Sequence, residues 1–215
     1  METTNEGSLG EGPTNGGSTG GPLEPELVRL TVAVVLGDWD GLRELRAEEG
    51  LRPGPRWREA ILQTHLFIGF PRVVEAFAVL ETVGGLGTPG PHEVLGDPDR
   101  PERGRALFDR IYGTRADRVR GLLERAHPDF AAWIEGHAYG RVLTRPGLEA
   151  SERELLAVAA LTATGQDRQL ASHARGAVAC GASPEAVARV VDQIRGRVDP
   201  EVWDRARRVV ERFAA

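Results

Sequence analysis

The 215-residue chain sets 27 cationic side chains against 32 acidic ones, for a net charge of −5, and every one of the cations is arginine. Without lysine there is no Schiff base to form on the chain and no P-loop lysine, and a single cysteine, Cys180, admits neither an intramolecular disulfide nor a cysteine-built zinc site. The acidic balance argues against general nucleic-acid binding, no apolar run approaches the ~20 residues of a membrane helix, and the first residues lack the apolar core of a secretory signal, so a globular cytoplasmic protein with no membrane and no nucleic-acid partner is expected.

Residues 1–22 contain seven glycines and almost nothing apolar. Such a stretch cannot offset the entropy of ordering and reads as a disordered tail. Beyond it the pattern is helical. Leu27, Leu30 and Val34 recur at helical spacing after Pro25-Glu26. Ile61, His65 and Ile68 form a second stripe, and Pro71 suits a first helical turn that leads to Val74, Phe77 and Val83. Five glycines and four prolines between Gly84 and Pro101 mark a linker, or a loop laid over the surface. Leu107, Phe108 and Ile111 then make a short helix. Pro128 opens another, with Phe130, Trp133, Ile134 and His137 on one face. Ser151 caps an apolar helix that runs to about Thr164. The next spans Asp167 to Cys180 and stops at Gly181, a left-handed cap. Ser183-Pro184 and Asp199-Pro200 start the last two. No alternating strand pattern of useful length occurs, so the fold is expected to be all-α.

A faint internal repeat accompanies these elements. Glu26-Leu27, Gly37 and Leu42 align with Glu154-Leu155, Gly165 and Leu170 at one offset, and Glu59-Ala60 aligns with Glu185-Ala186 after a short slip. The physical reading is two similar helical units in one chain. The expected organisation is a tail (1–22), a degenerate unit (23–83), a linker (84–101) and a second unit (102–215).

The richest stretch holds HAYGRVLTRPGL (137–148), SERELLAVAAL (151–161) and QDRQLASHARGAVACGASPEAV (166–187). It resembles the carboxymuconolactone decarboxylase family, within the alkylhydroperoxidase D-like superfamily. The resemblance covers about residues 100–195, and more loosely 57–83, where WREAILQTHLFIGFPRVVEAF carries an aromatic-Gly-aromatic-Pro turn. It implies an alkylhydroperoxidase D-like helical fold that assembles into rings, so that a chain with two units would form a trimer of pseudo-dimers.

The peroxidase branch of that superfamily carries C-x-x-C-x-x-x-H with a glutamate upstream. Counted back from His173, the cysteine places hold Gln166 and Gln169, while Glu154 falls where the glutamate belongs. The proton relay matches and the redox thiols do not, so there is no thiolate to attack a peroxide. Cys180 lies seven residues past His173, about 10 Å along a helix, and reads as buried filler. The resemblance therefore implies a cofactor-independent decarboxylase, or a related lactone or carbon–carbon enzyme, acting on a small carboxylated ring compound.

Each candidate residue also has a plainer reading. His173 sits on the Leu170–Ala174–Ala177 face with small neighbours, as a general acid beside a ligand or as a packed core histidine. Glu154 either shares a proton with His173 or completes a capping box with Ser151. Arg145, in the RPGL turn, could fork a substrate carboxylate or form a surface ion pair; Arg153 flanks the same loop. His137, Tyr139, Gln169 and His65 complete the candidate lining, with core packing as the alternative for the two histidines and the tyrosine. No histidine pair at i,i+4 and no H-E-x-x-H occurs, so no metal and no cofactor are expected. At the place matching His173 the first unit has Leu45. Against the decarboxylase stand a thiol-dependent peroxidase and a non-catalytic binding or scaffold protein on the same fold.

Overall fold

The structure, a computed structural model, describes residues 23–51, 53–96 and 100–212; the expected tail at 1–22 lies outside the described residues. The all-α expectation holds: the described residues form helices and connecting turns, with no strand among them. In chain order the α-helices are α1 (Pro25–Leu36), α2 (Trp39–Ala47), α3 (Pro55–Ile68), α4 (Phe70–Glu81), α5 (Arg100–Tyr112), α6 (Ala116–Ala126), α7 (Pro128–Trp133), α8 (Ala150–Ala163), α9 (Asp167–Ala179), α10 (Pro184–Gln193) and α11 (Pro200–Glu211). A π-helix, Ile134–Leu143, continues α7.

Punctuation follows local chemistry. Gly37 and Gly165 end α1 and α8 with φ of 70° and 67°, a conformation that costs glycine nothing. Ser183 and Asp199 cap α10 and α11 by accepting from the amides of Ala186 and Glu201. At α8 the capping expectation is corrected. The N-cap is Glu149, not Ser151, and its amide donates to Glu152 Oε2 at 2.8 Å. The reciprocal box is thus Glu149–Glu152, two residues earlier than the Ser151–Glu154 spacing suggests. Glu154 is released from capping and lies inside the helix, buried.

α8 is the centre of the molecule. Its residues from Glu152 to Thr162 are all buried, because it packs on α1, α3, α9, α10 and α11 together. Leu27, Leu30, Val34, Leu155, Leu156, Val158, Leu170 and Val187 share this main core, which draws on both halves of the chain. A second, smaller core joins α5, the π-helix and the end of α9 through Phe108, Ile111, Tyr139, Leu143 and Cys180.

The helix expected from Pro128 differs from the observed one. α-Helical geometry lasts only to Trp133, and π-geometry follows. A wider turn rotates the inward face, so Tyr139, Val142 and Leu143 are buried while Trp133 stays 67% exposed. This segment lies unusually close to α5: a Cβ on Gly104 would come within 2.7 Å of the Gly140 backbone. Only glycine at 104 permits that approach.

Buried charge locks the halves together. Glu59 of α3, 1% exposed, accepts from Arg145 Nη2 at 2.7 Å and from Arg153 Nη2 at 2.8 Å. Arg153 Nη2 also donates to the carbonyls of Arg145 and Pro146, and Gln63 Nε2 donates to the Arg153 carbonyl at 2.7 Å. The Gly/Pro-rich segment is strapped down by the same system. Glu93 takes a forked pair of bonds from Arg58, at 2.7 and 2.8 Å, and its carbonyl accepts from Arg145. Arg58 holds the Glu93 carboxyl at about 2, well below the usual glutamate value. Replacing Glu59 by glutamine strands two guanidinium groups inside the protein. Thermal or urea denaturation should show a loss of about 3–5 kcal/mol, as for other broken buried pairs. A loss below ~1 kcal/mol, the level of a surface ion pair, would show that the network does not carry this weight.

Candidate active site

α8 and α9 pack side by side and bring Glu154 and His173 into contact. His173 Nδ1 lies 2.9 Å from Glu154 Oε2, with side-chain exposures of 16% and 1%. Since a carboxylate only accepts, the imidazole donates from Nδ1. Nε2 makes no hydrogen bond with a described residue and is the atom left to act. Phe67 of α3 meets the ring edge-on, with centroids 5.9 Å apart. Burial disfavours the charge on His173, but the negative charge of Glu154 and its hydrogen bond outweigh burial and hold the imidazole above its ordinary value. The pair's contribution to stability is therefore full below the unfolded-state value of ~6.5 and is lost as pH rises through the higher folded-state value.

Glu154 has one oxygen to spare. Oε1 is buried and has no hydrogen-bond partner among the described residues. An orphaned carboxylate oxygen is costly and marks a place for a proton, a water or a ligand group. Its seat exists because residue 176 is glycine. A Cβ at Gly176 would stand 2.3 Å from Glu154 Oε2 and 3.1 Å from Ile111 Cγ2. A glycine in the middle of α9 weakens the helix by ~0.5–1 kcal/mol, and the space it leaves is the carboxylate's.

Two tyrosines lie beyond the carboxylate. The Tyr139 hydroxyl donates to Tyr112 Oη at 3.2 Å. Burial, then the neighbouring Tyr112 and the charge of Glu154, push the Tyr139 phenol well above its normal range. Tyr112 is raised for the same leading reason, burial. Cys180 lies in the same small core as Tyr139, and burial followed by Glu154 raises its thiol to about 11. That is the wrong direction for a nucleophilic thiolate.

The other candidates fall elsewhere. His65 and His137 form their own pair, Nε2 to Nε2 at 2.8 Å, between α3 and the π-helix. His65 Nδ1 bonds the Leu62 carbonyl, so it must donate there, and the shared proton comes from His137 Nε2. Phe70 stacks on His65 at 4.8 Å. Burial, then His65 and Arg141, lower the His137 value. Arg145 is corrected as a substrate anchor: its Nε and Nη2 donors are spent on Glu59 and the Glu93 carbonyl. Gln169 is exposed on α9 one turn before His173. The sequence reading missed Gly176, Phe67 and Tyr112. Gly176 left a legible trace, a glycine three residues after His173 inside a helix. The other two are brought to the site by packing alone.

The described helices make an all-α protein whose fold is consistent with the alkylhydroperoxidase D-like helical class. Residues 128–212 match the model of the Carboxymuconolactone decarboxylase family; this stretch carries His137, Tyr139, Arg145, Glu154 and His173. The chain is also similar to Peroxisomal protein 2 of Schizosaccharomyces pombe, 30% identical over 138 residues. That match takes in 62% of this chain and 64% of the relative's own length.

Gly176→Ala tests the seat of the carboxylate. The added methyl group should displace Glu154, and the His173 imidazole should titrate lower, toward ~6.5, in an NMR pH titration. An unchanged His173 titration in a folded variant would show that Gly176 does not hold the pair together.

Proposed function

We propose that the protein is a cofactor-independent decarboxylase, or a related lactone or carbon–carbon enzyme, acting on a small carboxylated ring compound. The observation that carries this reading is the buried Glu154–His173 pair, with His173 Nε2 unbonded among the described residues and its protonated form favoured more than in a free imidazole. In such a reaction the bond between a ring carbon and its carboxylate breaks and CO₂ leaves. The electron pair stays on the ring as a dienolate, and His173 Nε2 delivers the proton that quenches it at carbon. Glu154 orients the imidazole and offsets its charge. The neutral phenols of Tyr112 and Tyr139 supply hydrogen-bond donors close to the pair.

The thiol-peroxidase alternative has less support, with glutamine at 166 and 169 and a thiol value of about 11 at Cys180. The proposal extends to organisation. α1–α4 stand as the degenerate counterpart of α8–α11, with buried Leu45 where the second unit has His173, so one chain holds one such pair. Three chains would then complete a ring.

Assayed by CO₂ release from a γ-carboxy lactone, His173→Ala should lose about 100–10,000-fold in kcat with helix content unchanged. Rate should fall as pH rises through the elevated His173 value, and Glu154→Gln should move that limb to lower pH. Full turnover by His173→Ala would remove the mechanism. Light scattering should report a trimer of the full chain; a stable monomer would refute the ring.

A further inference from the structure

The π-helix Ile134–Leu143 has a neighbour on each side. On one side its Gly140 presses against Gly104 of α5. On the other, a single side-chain hydrogen bond among the described residues joins it to α3, from His137 Nε2 to His65 Nε2 at 2.8 Å. The ring centroids are 5.0 Å apart, so each imidazole points its Nε2 at the other. Both rings are half-buried. Phe70 of α4 stacks on His65 with 11° between the planes, and the Leu62 carbonyl accepts from its Nδ1, so the accepting ring is held from two directions. The charged groups that act on His137, among the described residues, are His65 and Arg141 of its own helix. Glu135, the acid of that helix, is engaged by Arg120 and Arg105.

The protons of this pair can be counted. In the neutral state His65 holds one on Nδ1 and His137 holds one on Nε2, inside the bridge. The first added proton goes to His137 Nδ1, outside the bridge, and leaves a charge-assisted N–H···N bond. The second has only His65 Nε2 to receive it, and that atom is the acceptor of the bridge. Two N–H groups then face each other, on like-charged rings. Burial, then His65 and Arg141, already oppose charge on His137 and delay its titration to lower pH. A histidine of this kind contributes stability above the unfolded-state value of ~6.5, and that stability is lost as pH falls through the lower folded-state value.

We propose that the His65–His137 bridge is an acid-sensitive latch. It pins the π-helix to α3 while the pair holds no more than one added proton, and releases it when both imidazoles are charged. π-Geometry is rare and recurs at functional positions. Here the segment is tied to α3 by one side-chain bond, so loss of that bond frees it to swing on its α5 contact. Tyr139, two residues after His137, moves with it, away from Tyr112 and from the charge of Glu154. The latch is independent of the decarboxylase reading, since it involves no step at His173.

Hydrogen exchange of the full chain, read by mass spectrometry from pH ~8 to ~4.5 with labelling times scaled for the chemical rate, tests it. Amides of 134–143 should be protected at neutral pH and lose protection in acid, while α8 keeps its own. At its steepest the loss should approach about a hundredfold per pH unit, the mark of two protons. His137→Gln places an amide that donates to His65 Nε2, or accepts from it once His65 is charged, and takes no charge itself. It should keep 134–143 protected at pH values where the native protein has opened, and so should His65→Gln. His92→Gln, exposed on the 3₁₀ turn Pro91–Glu93, should follow the native profile. The proposal is overturned by free exchange of 134–143 at neutral pH, by native protection that persists through the whole range, or by a loss of only about tenfold per pH unit. Native-like acid opening in both folded glutamine variants overturns it as well.

Discussion

A single buried carboxylate, that of Glu59, stands between two guanidinium groups, Arg153 fully buried and Arg145 mostly so. Burying one arginine, let alone two, is costly unless each is met by an opposite charge and its remaining donors are used. Glu59 meets both, the carbonyls of Arg145, Pro146 and Glu93 and the Gln63 side chain take further donors, and Arg153 Nε alone of its guanidinium nitrogens has no partner among the described residues. The consequence is positional. The RPGL turn and the start of α8 close on one side chain of α3, and the surface strap joins them through Arg145 and Arg58. Arg153 is fixed at the second turn of α8, and Glu154 is its neighbour in sequence. The orientation of the candidate catalytic carboxylate follows from an ion network that makes no contact with it.

Within that frame, Glu154 serves its neighbours by charge. It lifts the imidazole of His173 and pushes the tyrosine and cysteine protons toward staying on. An arrangement of this kind favours proton donation and disfavours thiolate chemistry. The orphaned Oε1 and the glycine opposite it show that the carboxylate was given room at a cost to helix stability, which packing of α9 against α8 and α5 offsets.

Arg145 and Arg153, which motif and charge single out as candidate ligand-binding groups, hold the fold together instead. The π-helix makes a similar point for histidine. By widening one turn it buries Tyr139 toward Glu154 and turns His137 to His65 instead of to His173. Side chains two residues apart in sequence thus enter different clusters.

Periodicity, proline and glycine positions determined the all-α class and most helix boundaries, because helix starts and stops are local chemistry. The Glu154–His173 pairing was legible as well, since the spacing from His173 back to Glu154 fits two antiparallel neighbours and resembles a known relay. The cap of α8, the π-turn, the diversion of Arg145 to Glu59, the separate His65–His137 pair and the entry of Phe67 and Tyr112 were decided only by the tertiary structure. Each depends on which face meets which neighbour. Partners far apart in sequence, 72 residues for His65–His137 and 86 for Glu59–Arg145, are chosen by packing and by the need to satisfy buried charge, and neither leaves a spacing to read.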